Sequence, residues 1–207
     1  MSPQPPVVLV HGLFAPRATM YPFQWALGRA GLDAHTVKLP LLNMAAVESS
    51  ARMLAAKVDA VLTNKGREQL DLVGMSLGGL ISLHYLHELG GAPKVRRMIL
   101  LGTPVRGSWS AVAAIATMGP ACPAARQCLP GSDFLANLET KGLPAGPEII
   151  AVYGSFDPVA PKSRCTVDGV RNIEIKTIPQ PFAHQSLIAS PAAVRTLISV
   201  LQEPTAA

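Results

Sequence analysis

The segment Leu70-Asp71-Leu72-Val73-Gly74-Met75-Ser76-Leu77-Gly78-Gly79 joins a short apolar run to a helical pattern through a Gly-x-Ser-x-Gly turn. Such a string is common by chance, but between a strand and a helix it has a mechanical reason. The serine occupies a sharp, strained turn that lifts its hydroxyl clear of the sheet, and glycines two before and two after it let strand and helix approach. Residues 69–73 fit the strand, and residues 77–89, stopped at Gly90-Gly91, fit the helix.

Outward from this turn the same alternation continues. Pro6-Val7-Val8-Leu9-Val10 is apolar and β-branched throughout, as suits a strand buried on both faces. Residues 33–39, 95–101, 148–153 and 173–178 give further strands. Residues 20–30, 43–63, 110–118, 132–139 and 191–201 have helical spacing, with Asn43 and Ser190 as candidate caps. Six strands alternating with helices predict an α/β fold, a six-stranded mostly parallel sheet with helices on both faces. The rhythm breaks over residues 103–147, which are rich in Gly and Pro and show no strand. At about 45 residues this is too long for an ordinary connection, so a fixed or modestly mobile cap inserted into a single 1–207 domain is expected.

The chain has 207 residues, of which 49% are hydrophobic and 15% charged, a balance that excludes disorder for its body. Its formal charge is +5 and its pI about 9.4, yet the 18 Lys and Arg are scattered, the tightest cluster being Lys94, Arg96 and Arg97. No basic helix, finger or aromatic–basic alternation appears, so a basic surface is expected and no nucleic-acid partner. No apolar run reaches the ~18 residues of a membrane span. The start, Met1-Ser2-Pro3-Gln4-Pro5-Pro6, lacks a basic region, and the apolar run after it is too short for a signal peptide. A cytoplasmic location is therefore expected, secretion or periplasmic export remaining open if a signal has been trimmed. Three cysteines allow either a small Cys122–Cys128 loop with Cys165 free, or three reduced thiols.

A serine hydroxyl at its ordinary acidity needs a base, and that base needs an orienting carboxylate. Asp157 follows the fifth strand and His184 the sixth, past the strand ends that share an edge with Ser76. His84 and His87 fall on the flank of the helix after Ser76, His35 lies within a strand, and Asp71 precedes the turn. Asp133 and Asp168 are the other acids to be weighed against Asp157. Acyl transfer also needs two N–H donors for the oxyanion. Leu77, just after the serine, is one candidate; Leu13, in Val10-His11-Gly12-Leu13-Phe14, is the other, with Phe14 as runner-up and His11 as a brace of the loop.

Together these residues resemble a serine hydrolase of the α/β-hydrolase superfamily, most similar to small bacterial lipases and esterases with a His-Gly oxyanion loop. The resemblance runs from Val7 to about Leu201 and rests on His11-Gly12, the turn at Ser76, Gly102-Thr103-Pro104-Val105-Arg106-Gly107, Asp157 and His184. Ser76, Asp157 and His184 stand in the order that superfamily uses. Such lipases commonly carry a histidine where Val105 stands and another where Met75 stands. These two departures favour a carboxylesterase over a true lipase. The resemblance implies carboxylic-ester hydrolysis through an acyl-enzyme on Ser76; since no HExxH, paired Cys and His spacing or Walker loop occurs, no metal or other cofactor is expected. The expected partner is a small-molecule or lipid ester, with contact at a lipid interface left open. An acyltransferase or thioesterase would use the same three residues, and a non-catalytic binding module is the reading from another class. The apolar residues of the insertion, Val112, Ile115, Met118, Leu129, Phe134, Leu135 and Leu138, either line an acyl pocket or seal the insertion onto the core.

Overall fold

The computed structural model describes residues 4–118, 121–178 and 183–204. Residues 1–3, Pro181 and Phe182 before His184, and the side chain of Met118 lie outside the described ones. Six strands, β1 (Val7–Val10), β2 (Ala34–Thr36), β3 (Leu70–Met75), β4 (Val95–Leu101), β5 (Glu148–Gly154) and β6 (Arg171–Ile175), form one sheet in the order β2-β1-β3-β4-β5-β6. Every adjacent pair is parallel, so all the C-terminal strand ends lie along one edge.

Strand residues alternate between two cores. Val8, Val10, Leu72 and Leu100 pack beneath α2 (Val47–Lys65) and α3 (Leu77–Glu88). Val7, Leu9, Val73 and Leu101 face α1 (Tyr21–Arg29), through Phe23 and Leu27, and the C-terminal helix, through Leu197 and Leu201. Each such fully buried aliphatic side chain contributes about 1.5–3 kcal/mol. The two edge strands differ from expectation. β2 is shorter than 33–39 because it has a single neighbour and only half-buried residues. β6 begins two residues before 173, with exposed polar Arg171 and Asn172 supplying the pairing.

Within residues 103–147 three helices form: α4 (Ser110–Met118), α5 (Pro123–Gln127) and α6 (Asp133–Lys141). α6 sets Leu135 and Leu138 into the α2–α3 core, with Leu129 and Phe134 packed against it. α4 and α5 add Ala111 and Ala124 to that core and also make a further small cluster, Ala114, Cys122 and Ala125, against Leu13, Met44 and Ile115. Val112 is exposed. The cysteines are free buried thiols. Burial and the neighbouring Cys122 push Cys128 up to about 12, and burial beside Asp157 likewise raises Cys165, so both stay protonated at neutral pH.

Asn43 is not the cap of α2. That helix starts at Val47, and its first N–H is taken by the Gln127 side chain at 2.8 Å, which in turn donates to Glu48 at 2.7 Å. Ser190 does cap α9 (Pro191–Gln202), accepting from the Ala193 N–H. Each member of the basic cluster is paired with a carboxylate, and the pairs run from the surface to the interior. Lys94 pairs with Asp59, Arg96 with Asp71, and fully buried Arg97 with Glu148 at 2.6 Å. Arg97 also donates to the backbone carbonyls of Val200 and Glu203, at the end of α9.

Candidate active site

Ser76 ends the turn between β3 and α3 with φ 53° and ψ −124°. This is the left-handed side of backbone space, where a non-glycine residue is strained and needs its surroundings to hold it. Three restraints do so. The Ser76 N–H bonds the Leu101 carbonyl at the end of β4 at 2.9 Å, and the Gly79 N–H bonds the Ser76 carbonyl at 3.0 Å. Buried Thr103 donates its hydroxyl to the Gly74 carbonyl at 3.2 Å. The glycines are steric necessities: a Cβ at Gly74 would stand 2.6 Å from the Gly79 Cα, and one at Gly79 would strike Thr103.

Asp157 and His184 come together beside this turn. Asp157 lies three residues past β5, and His184 is the second residue of α8 (Ala183–Ala189). His184 Nδ1 meets Asp157 Oδ2 at 2.6 Å, with both side chains almost wholly buried. The other carboxylate oxygen accepts the N–H groups of Val159 and Ala160, each at 2.9 Å. Both carboxylate oxygens of Asp157 are thus engaged and its orientation is fixed. The imidazole lies over Gly102, the residue after β4, with Cε1 3.4 Å from where a Cβ there would stand.

Across from this pair lies the loop after β1. A Cβ on Gly12 would be 3.1 Å from the Ser76 Cβ, so the loop passes directly against the serine. Buried Asn43, itself at φ 63°, donates from Nδ2 to the carbonyls of His11 at 2.9 Å and Gly12 at 3.3 Å; Ser50 holds its Oδ1 at 3.1 Å. His11 Nδ1 also meets the Gly12 carbonyl at 3.2 Å, while its Nε2 accepts the Leu39 N–H at 3.3 Å. Burial holds His11 below its usual pKa, so at neutral pH it is the uncharged tautomer that such bonding requires. The carbonyl of Gly12 and the N–H of Leu13 belong to one trans peptide and point in opposite directions. Holding the first therefore fixes the second. Phe14 follows at φ 54°, half exposed. Leu77, as the first residue of α3, has no intrahelical acceptor for its N–H.

The other candidates are elsewhere. Asp71 bonds Arg96 toward the opposite edge of the sheet, Asp168 is solvent-exposed beside Arg106, and Asp133 opens α6. His84 stacks obliquely on Phe134, and His35 pairs with Asp33. Among the described residues no group of three or more His, Cys, Asp or Glu is placed to hold a metal ion. Thr103 and Asn43 were not singled out as site residues by sequence. Thr103 had a signal in the Gly-Thr-Pro stretch after the fourth strand; Asn43 had none beyond its resemblance to a helix cap.

Comparison with known proteins agrees with this architecture. The family model described as alpha/beta hydrolase fold matches residues 5–121. No curated protein matches the chain in sequence. Among solved structures, the mature form of a Bacillus licheniformis lipase, BlEst2, superposes with a TM-score of 0.83 at 21% identity, covering 97% of this chain and 93% of that one. Aspergillus fumigatus lipase B gives 0.78 at 17% identity over 98% of this chain and 53% of that one. A Paleococcus ferrophilus monoacylglycerol lipase gives 0.63 at 17% identity, over 93% of each. At these identities the likeness is one of fold.

Proposed function

The chain belongs to the α/β-hydrolase fold family, and from that premise we propose that it is a serine hydrolase of carboxylic esters. The observation that carries this is the strained Ser76 at a strand-to-helix turn, on the same sheet edge as a buried His184–Asp157 pair. In this mechanism Ser76 Oγ attacks the ester carbonyl, and His184 takes the hydroxyl proton on Nε2 while Asp157 holds Nδ1–H. The oxyanion rests on the N–H groups of Leu13 and Leu77. His184 then protonates the leaving alcohol, water displaces the acyl group from Ser76 with the same histidine as base, and the acid departs. The α4–α5 cluster packed against Leu13 serves as the cover over this centre.

The test is covalent. A fluorophosphonate, which reacts with activated serines, should add one equivalent to Ser76, located by peptide mass. Soluble p-nitrophenyl esters should be hydrolysed, with labelling abolishing turnover. A protein that neither labels nor turns over would end the proposal. Competition between water and an alcohol reads out acyl transfer in the same assay.

Asn43 supplies a second expected result. Asn43→Ala removes the donor that holds the His11 and Gly12 carbonyls, so the peptide carrying the Leu13 N–H loses its fixed direction. Loss of one oxyanion donor costs about 10²- to 10³-fold in kcat, so a fall of about tenfold to 10²-fold is expected for misdirecting one, with KM little changed. Loss of a buried hydrogen-bonding group adds a stability cost of about 1–3 kcal/mol. Kinetics below the melting transition separate the two effects, and an unchanged kcat would show that the loop needs no such clamp.

A further inference from the structure

The charge of this molecule is not spread evenly. The segments that follow the strand C-termini, residues 11–20, 37–46, 102–132, 155–168 and 176–178, hold seven Lys and Arg against two carboxylates. That excess of five equals the formal net charge of +5 of the whole chain, so the remainder is balanced. Of the two carboxylates, Asp157 is buried against His184 and Asp168 is paired with Arg106. Among the described residues, Arg17, Lys38 and Lys176 on this edge are exposed with no carboxylate partner. Elsewhere six of the eleven Lys and Arg are paired with carboxylates, Lys94, Arg96 and Arg97 among them, while Arg29, Arg52 and Arg195 are exposed; what distinguishes the active-site edge is its excess of cations over carboxylates.

The same edge carries most of the large apolar side chains that face solvent. Phe14, Leu42, Trp109, Val112, Phe156 and Ile178 are all exposed, Trp109 by 64% and Ile178 by 77%, and all lie on segments beyond strand C-termini. The Arg164 guanidinium lies 5.8 Å from the centre of the Trp109 ring, so cation and aromatic ring form one surface. A soluble anion would satisfy the charges and leave these apolar groups in water. A nucleic acid would stack on Trp109 and Phe14 but offers nothing to Ile178, Leu42 or Val112. An anionic lipid surface satisfies both: headgroups meet the cations, and the apolar side chains enter the boundary between headgroups and acyl chains.

We propose that the edge of the sheet bearing Ser76 docks on anionic lipid surfaces, through unpaired cations interleaved with exposed apolar side chains. The docking gains its purpose from the ester-hydrolase reading, since it would bring Ser76 to lipid esters, but binding is measurable without catalysis. The experiment uses Ser76→Ala, which consumes no lipid, and sucrose-loaded vesicles of phosphatidylcholine alone or mixed with phosphatidylglycerol. Co-sedimentation is expected on the mixed vesicles, at least about tenfold tighter than on phosphatidylcholine, and weakened by high salt. Lys38→Gln and Lys176→Gln are each expected to weaken it about fivefold, the effect of one cation near an anionic surface. Trp109→Ser and Ile178→Ser should weaken it at low salt as well, where charge alone would hold the protein. Melting temperatures of the four variants verify that they fold. Equal affinity for the two vesicle types, indifference to salt, or unchanged binding by the Gln variants would overturn the proposal. So would heparin or an oligonucleotide binding as tightly as the mixed vesicles with no loss in the Ser variants. Failure of hydrolysis by the wild type, with vesicle binding intact, would overturn the ester-hydrolase reading and leave the docking standing.

Discussion

Ser76→Ala is expected to lower kcat on a soluble p-nitrophenyl ester by about 10⁴- to 10⁶-fold while leaving the fold intact. Alanine keeps the Cβ and removes only the hydroxyl, so the turn loses no backbone bond: the Ser76 N–H still reaches Leu101 and its carbonyl still accepts from Gly79. The strain at φ 53° is carried by either residue. What disappears is the atom that forms the acyl-enzyme in the proposed mechanism, and the residual rate expected is what binding and the two N–H donors would supply to attack by water. Single-turnover kinetics together with a melting curve make the measurement. A variant that retains its melting temperature and stays within about tenfold of the wild-type rate would remove Ser76 from the mechanism.

Asp157→Asn is expected to cost about 10⁴-fold in kcat, through the tautomer of His184. The reason is particular to this site. Two backbone N–H groups, from Val159 and Ala160, point at Oδ1 and demand an acceptor there. The amide of an asparagine must therefore keep its oxygen toward them and turn its NH2 toward His184 Nδ1. That nitrogen then has to accept, its proton moves to Nε2, and the nitrogen intended to receive the serine proton already carries one. Asp133→Asn and Asp168→Asn have no such contact and should leave kcat within about twofold, as expected of surface changes away from a site. If either proved the damaging substitution, the carboxylate of the mechanism would be the wrong one.

The parts of this molecule that the sequence made legible are those written in local punctuation. The apolar run before Gly74 and the helical spacing after Ser76 place a strained turn without any knowledge of distant contacts, and Asp157 and His184 stand just beyond runs with the same strand character. The parts that stayed hidden depend on residues far apart in the chain. Gln127 caps α2 by accepting from Val47, leaving Asn43 for the His11 and Gly12 carbonyls. Nothing near Asn43 announces that its usual cap role has been taken by another residue. Helices such as α5, α7 (Lys162–Cys165) and α8 have too few turns to display a period. The pairing of Arg96 and Arg97 was hidden for the same reason, because a charge looks identical in sequence whether it meets water or a carboxylate.

Arg97 also sets an order of events. Its guanidinium sits in the interior on a central strand, and the backbone carbonyls it donates to lie 103, 106 and 107 residues later in the chain. Only Glu148 is made earlier than those, and it too follows Arg97 by 51 residues. During synthesis this cation is therefore present long before its acceptors, and a buried cation without partners is costly. The full set of partners that Arg97 has in the fold exists only once residues 200–204 are present and α9 has docked. Contacts of such long sequence separation are slow to form, because the intervening chain must first be ordered. The strand that supports the Ser76 turn is thus expected to reach its final surroundings only when α9 docks on it.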